Sequence, residues 1–126
     1  MEQLQLATYE QSKRLSDLGF DYATVEYYNG NGNLFTCKSC RNSERTIWGH
    51  VSAPTAALVR EWFMDKWGLF GTVMPIDDFG QGLAFYYLIY NNKGKQAAVE
   101  YGWCYERDKS ESALLDKLIE LITLKN

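Results

Sequence analysis

Residues 83–105 read LAFYYLIYNNKGKQAAVEYGWCY, and the class of the fold turns on them. Two runs, Leu83–Tyr90 and Gln96–Tyr105, are rich in aromatic residues with a β-branched one in each. Such residues fit a pleated, half-buried surface, so both runs are expected to be strands. The polar segment Asn91-Asn92-Lys93-Gly94-Lys95 joins them. With Gly94 as the left-handed residue of a three-residue loop, Tyr90 faces Gln96 and Ile89 faces Ala97. That register puts Leu83, Phe85, Tyr87 and Ile89 on one face with Ala97, Val99, Tyr101 and Trp103, which reads as a core face. The other face carries Ala84, Tyr86, Leu88 and Tyr90 beside Ala98, Glu100, Gly102 and Cys104. A slip of one residue would bury Glu100 with Ala98, so the pattern specifies its own register.

On either side of this hairpin, elements announce themselves by their ends. Thr8 with Gln11 three residues on is a capping box, opening a helix from about Tyr9 to Leu18 that Gly19 stops. Tyr22–Tyr28 and Leu34–Lys38 read as a hairpin around Asn29-Gly30-Asn31-Gly32-Asn33. Ser39–Arg45 reads as a loop and Thr46–Val51 as a short strand. Pro54 suits a first helical turn, where a missing N–H costs nothing. Leu58, Val59, Trp62, Phe63 and Trp67 then recur at helical spacing up to Gly68. Leu69–Ile76 reads as a strand ending at Pro75. Asp108 with Glu111 forms a second capping box, and Leu114, Leu115, Leu118, Ile119 and Ile122 give the last helix a broad buried stripe. Trp62 and Leu118, central in their stripes, are expected in one core. The order is α-ββ(β)-α-βββ-α. It describes an α+β fold with a mostly antiparallel sheet of about five or six strands and three packed helices. No internal repeat, low-complexity stretch or linker interrupts it.

The chain has 126 residues, enough for one domain spanning 1–126 that buries a core without staples. Aromatic residues make up 15%, and a surplus over the needs of a core would sit on a surface. The net charge of −3 argues against nucleic acid or an anionic membrane as the main partner. The start, Met1-Glu2-Gln3-Leu4-Gln5-Leu6, lacks the basic and apolar parts of a secretory signal, and no apolar run is long enough for a spanning helix. Three cysteines without such a signal give no disulfide framework, so a cytoplasmic setting is expected.

Several groups could carry chemistry. Cys37-x-x-Cys40 with His50 and Cys104 would complete a Cys₃His zinc set, using the single histidine of the chain. A zinc ribbon would show a second tight pair, and none is present. A redox pair would need a helix N-terminus after it to lower the thiol pKa. The segment Arg41-Asn42-Ser43-Glu44-Arg45 has no apolar helical period to make one. Cys104 with His50 lacks a third partner and any nucleophile motif. Asp77-Asp78 reads as a solvated turn, and Gly30-Asn31-Gly32 and Gly94-Lys95 lack the spacing of phosphate loops. Lys38, Arg41 and Arg45 near Phe35 and Trp48 make a basic patch too small, with Glu44 inside it, for a nucleic-acid groove. No catalytic residue and no cofactor is implied. The face of Tyr86, Leu88 and Tyr90 stands out instead, because Tyr is favoured where a protein partner, or a second copy, docks.

Thr8-Tyr9-Glu10-Gln11 through Leu18-Gly19-Phe20, then Val51-Ser52-Ala53-Pro54-Thr55 leading into Trp62-Phe63, then a Leu/Ile-rich C-terminal helix, resemble a group of small uncharacterised proteins of gut-bacterial phages and integrated mobile elements. The resemblance implies an accessory protein of a mobile element. It assigns no activity and transfers no site, and the cysteine pair is not part of it. The sequence therefore leads to a non-enzymatic interaction protein, with a small zinc-binding or cysteine-dependent domain as the alternative.

Overall fold

A computed structural model describes residues 5–45, 49–99 and 104–124, without the side chains of 37–40 and 45. The fold is α+β. Its order is α1 (Tyr9–Asp17), β1 (Thr24–Tyr28), β2 (Leu34–Cys40), α2 (Asn42–Arg45), β3 (Val51–Ser52), α3 (Ala56–Trp67), β4 (Leu69–Asp77), β5 (Leu83–Asn91), β6 (Gln96–Val99) and α4 (Arg107–Thr123). Among the described residues the strands form two antiparallel sheets of three, ordered β2-β1-β3 and β4-β5-β6, rather than one sheet of five or six. The chain divides into two compact units, Met1–Val59 and Arg60–Asn126.

In the first unit the capping box forms as the sequence predicts. Thr8 Oγ1 accepts from Gln11 N–H at 3.2 Å, and Gln11 Oε1 accepts from Thr8 N–H at 2.9 Å. Gly19, at φ 95°, follows the helix end. The buried face of α1 is Gln11, Ser12 and Leu15, while Tyr9 and Leu18 are only half-buried. Tyr9 instead packs its ring on Tyr28 and crowds Gly32, where an added Cβ would stand 3.0 Å from Tyr9 Cδ2.

The segment 39–45, expected as a loop, is divided between the end of β2 and a fourth helix, α2. Glu44 makes that short turn possible, because its carboxylate accepts from Arg41 N–H at 2.8 Å. Buried Asn42 then clips distant segments together. Its amide donates to Phe20 O at 2.7 Å and accepts from Ser52 N–H at 2.8 Å. The strand expected over 46–51 is reduced to β3, and residues 46–48 lie outside the described residues.

Thr55, not Pro54, starts α3: its hydroxyl accepts from Leu58 N–H at 3.1 Å. Pro54 lies just before the helix. Val59, Trp62 and Phe63 are buried, whereas Leu58 and Trp67 are half-buried. Gly68, at φ 65°, ends it.

In the second unit α4 lies across β4 and β5. Its buried stripe is the predicted one, Leu114, Leu115, Leu118, Ile119 and Ile122, extended by Ser110 and Glu111. The start differs from the sequence reading. The helix begins at Arg107 with Glu106 as its cap and no side-chain cap bond. Asp108 therefore lies inside the first turn and is not the cap, and Glu111 is drawn into the buried side, 3.7 Å from Arg107.

Candidate functional site

The register of β4, β5 and β6 decides what the aromatic face can do. Gly71 pairs with Ile89, and a Cβ on Gly71 would stand 2.8 Å from Leu114 Cδ1. Gly71 and Ile89 therefore look toward α4. Residues directly opposite in an antiparallel pair share a face, so Val73 with Tyr87 and Pro75 with Phe85 share that side. Ile89 is fully buried, Phe85 and Tyr87 are half-buried, and Leu83 near the hairpin tip is exposed.

The other face runs through the pairs Phe70–Tyr90, Thr72–Leu88, Met74–Tyr86 and Ile76–Ala84. Tyr86, Leu88 and Tyr90 are thus brought together as the sequence predicts. Phe70 and Met74 join them from β4, and sequence reading missed both. The signal was present, since Leu69–Ile76 alternates against the same partner strand, but no turn rule fixed its register in advance. Phe70 is 47% exposed, Met74 38% and Tyr90 37%, while Tyr86 and Leu88 are half-buried. Ala84 is fully buried, so the face opens toward the Phe70–Tyr90 end and closes toward the Asp77–Leu83 end. None of these eight positions carries a charge.

The third strand departs from the expected pairing. Tyr90 faces Gln96 and Gly94 has φ 77°, as the three-residue loop requires. Ile89, however, faces Ala98, because Ala97 is an extra residue at a β-bulge. The bulge exchanges the faces of Ala98 and Val99. Val99 pairs with Leu88 on the open face instead of the core face, and Cys104 pairs with Phe85 on the side turned to α4. Glu100, Tyr101, Gly102 and Trp103 lie outside the described residues.

The loops around the sheet are occupied by their own hydrogen bonds. Asp77 Oδ1 accepts from Gly80 N–H at 3.2 Å, and Asp78 accepts from the Tyr105 hydroxyl. That bond to the Asp78 carboxylate, followed by desolvation, raises the Tyr105 phenol above its ordinary pKa. The pair acts as a turn and not as two open ligands. Asn29 and Asn91 build matching turns, each side-chain oxygen accepting from the N–H groups two and four residues on. Their glycines serve the turn and present no phosphate cradle.

The cysteine and histidine set is distributed along the chain. Cys37 and Cys40 belong to β2, and their side chains lie outside the described residues. His50 packs edge-on against Phe35 at 4.8 Å, with its Nδ1 buried and without a hydrogen-bond partner. Cys104 is half-buried and carries a thiol. Among the described residues no group of three or more His, Cys, Asp or Glu gathers as a metal would require. Of the basic patch, Arg41 is exposed beside Glu44, Phe35 is half-buried between Tyr27 and His50, and Trp48 lies outside the described residues.

A groove of about 230 Å³ lies in the first unit, lined by Leu6, Val25, Glu26, Pro54 and Leu58 among others. It falls below the usual range for small-molecule sites, roughly 300–1,000 Å³. No helix among the described residues is long and apolar enough to cross a membrane. No family model matches the chain, and neither a curated protein nor a solved structure matches it.

Proposed function

We propose that the protein is a non-enzymatic interaction protein that docks a protein partner on the open face of β4 and β5. The observation that carries this reading is the uncharged face on which Phe70, Met74 and Tyr90 remain substantially exposed. Exposed apolar residues scattered singly are ordinary, but a contiguous patch marks a contact surface. Tyr and Phe supply large area with few rotatable bonds, so ordering them on binding costs little entropy. The resemblance to small proteins of phages and integrated elements suggests a mobile-element accessory role in the cytoplasm. Replacing Leu88 and Tyr90 together by Ser and Asp tests the reading: association through the face is lost while the fold persists.

A second reading is the small zinc-binding domain that the cysteines and histidine of the sequence suggest. The buried, unbonded Nδ1 of His50 favours it, and metal analysis of the purified protein tests it directly.

A further inference from the structure

The outer edge of β4 has a defined hydrogen-bonding pattern. Asp78 N–H donates to Gly82 O at 3.0 Å across the hairpin. Bonded and non-bonded pairs alternate in an antiparallel ladder. Positions 76, 74, 72 and 70 therefore direct their backbone groups to β5. The far side of β5 agrees, because Phe85 exchanges both of its backbone bonds with Cys104, at 2.7 and 3.0 Å. It follows that Leu69, Gly71 and Val73 aim both N–H and C=O away from β5. Pro75, which has no N–H, falls on the same outward set, where the internal ladder loses nothing. Among the described residues no strand pairs with this edge.

Proteins blunt open edges with charge, proline or bulges. From Trp67 to Ile76 there is no charged residue. The β4–β5 register contains no bulge, and the one proline lies near the far end of the strand.

We propose that this edge pairs with the same edge of a second copy, antiparallel about a twofold axis at Thr72. In that register exposed Phe70 lies opposite exposed Met74 of the partner subunit. Gly71 exchanges two backbone bonds with Val73 of the partner subunit, and the N–H of Leu69 reaches the carbonyl of the partner's Pro75. An axis at Gly71 would set Phe70 against Thr72 and Met74 against Gly68, wasting both apolar side chains. Parallel pairing would bring the Asp77-Asp78 ends of two copies side by side, and like charges in register are destabilising. Antiparallel pairing sends them to opposite ends. Two three-stranded sheets become one of six, with both copies of α4 on one side and the uncharged β4–β5 faces of the two copies side by side on the other. The pairing goes beyond the docking role proposed for that face and does not depend on it.

Cross-linking tests the register. Thr72 would meet its own copy at a non-bonded position, where Cα atoms stand about 4.5 Å apart, inside the range a disulfide spans. Oxidised Thr72→Cys should run at twice the 14.5 kDa chain mass, and peptide mapping should find the two substituted positions joined to each other. Val73→Pro removes an outward N–H and should weaken the dimer about tenfold or more in sedimentation equilibrium. If that variant does not fold, the cross-link alone decides. A wild-type protein that stays monomeric overturns the proposal. So does a dimer in which the Thr72→Cys positions never join. The Leu88→Ser/Tyr90→Asp variant should still dimerise, which separates failure of the edge from failure of the face.

Discussion

Gly71 on β4 and Leu114 on α4 stand so close that a single added methyl would be 2.8 Å from Leu114 Cδ1 and 3.2 Å from Leu118 Cδ1. The glycine is required by that approach and not by a turn. It lets the helix settle on the centre of the sheet, over fully buried Ile89.

Gly71→Ala should therefore destabilise the protein by about 1–3 kcal/mol despite the better strand propensity of alanine. Adding Leu114→Ala opens space for the methyl, so the double variant should lose less than the sum of the two single losses. Chemical denaturation of the four proteins measures this. Strict additivity would show that the helix does not rest on Gly71.

Asn42 is a second fixed point. Its amide is buried and satisfies Phe20 O and Ser52 N–H at once. Asn42→Ala removes the partner it gives to each of these backbone groups, and should cost about 1–3 kcal/mol. Asn42→Asp keeps the acceptor for Ser52 but turns an acceptor toward Phe20 O, so it should not restore wild-type stability. Urea titration of the three proteins checks the order.

Trp62 and Leu118 are 2% and 0% exposed on α3 and α4. Truncation of either to Ala should cost roughly 2–5 kcal/mol. A loss below about half a kcal/mol for both would contradict these helices as core elements.

On the favoured reading the chain folds without metal. A strong chelator under reducing conditions should leave circular dichroism and melting temperature unchanged. Stoichiometric zinc, with cooperative unfolding on its removal, would promote the zinc reading instead.

Strong local chemistry made most of the elements legible in the sequence. The Thr8–Gln11 box, the stops at Gly19 and Gly68, the stripe of α4 and the Tyr90–Gln96 loop register all depend on residues within a few positions of one another. What failed depended on tertiary pairing. The bulge at Ala97 has no side-chain signature, yet it moves Val99 to the opposite face from the one expected. The division into two sheets and the turn of α2 rest on pairings and on Glu44 and Asn42 contacts that no periodicity announces. The candidate face was half legible: the alternation of β5 gave Tyr86, Leu88 and Tyr90, while Phe70 and Met74 needed the β4 register.

The docking role of the open face stands or falls with the Leu88→Ser/Tyr90→Asp variant, assayed together for unfolding free energy and for capture of protein partners beside wild type. The open face predicts a cooperative fold that loses about 1–2 kcal/mol from half-buried Leu88, with partner capture abolished. A variant that no longer folds would make this face ordinary core. A folded variant that captures partners as wild type does would place the contact surface elsewhere, and either result contradicts the account.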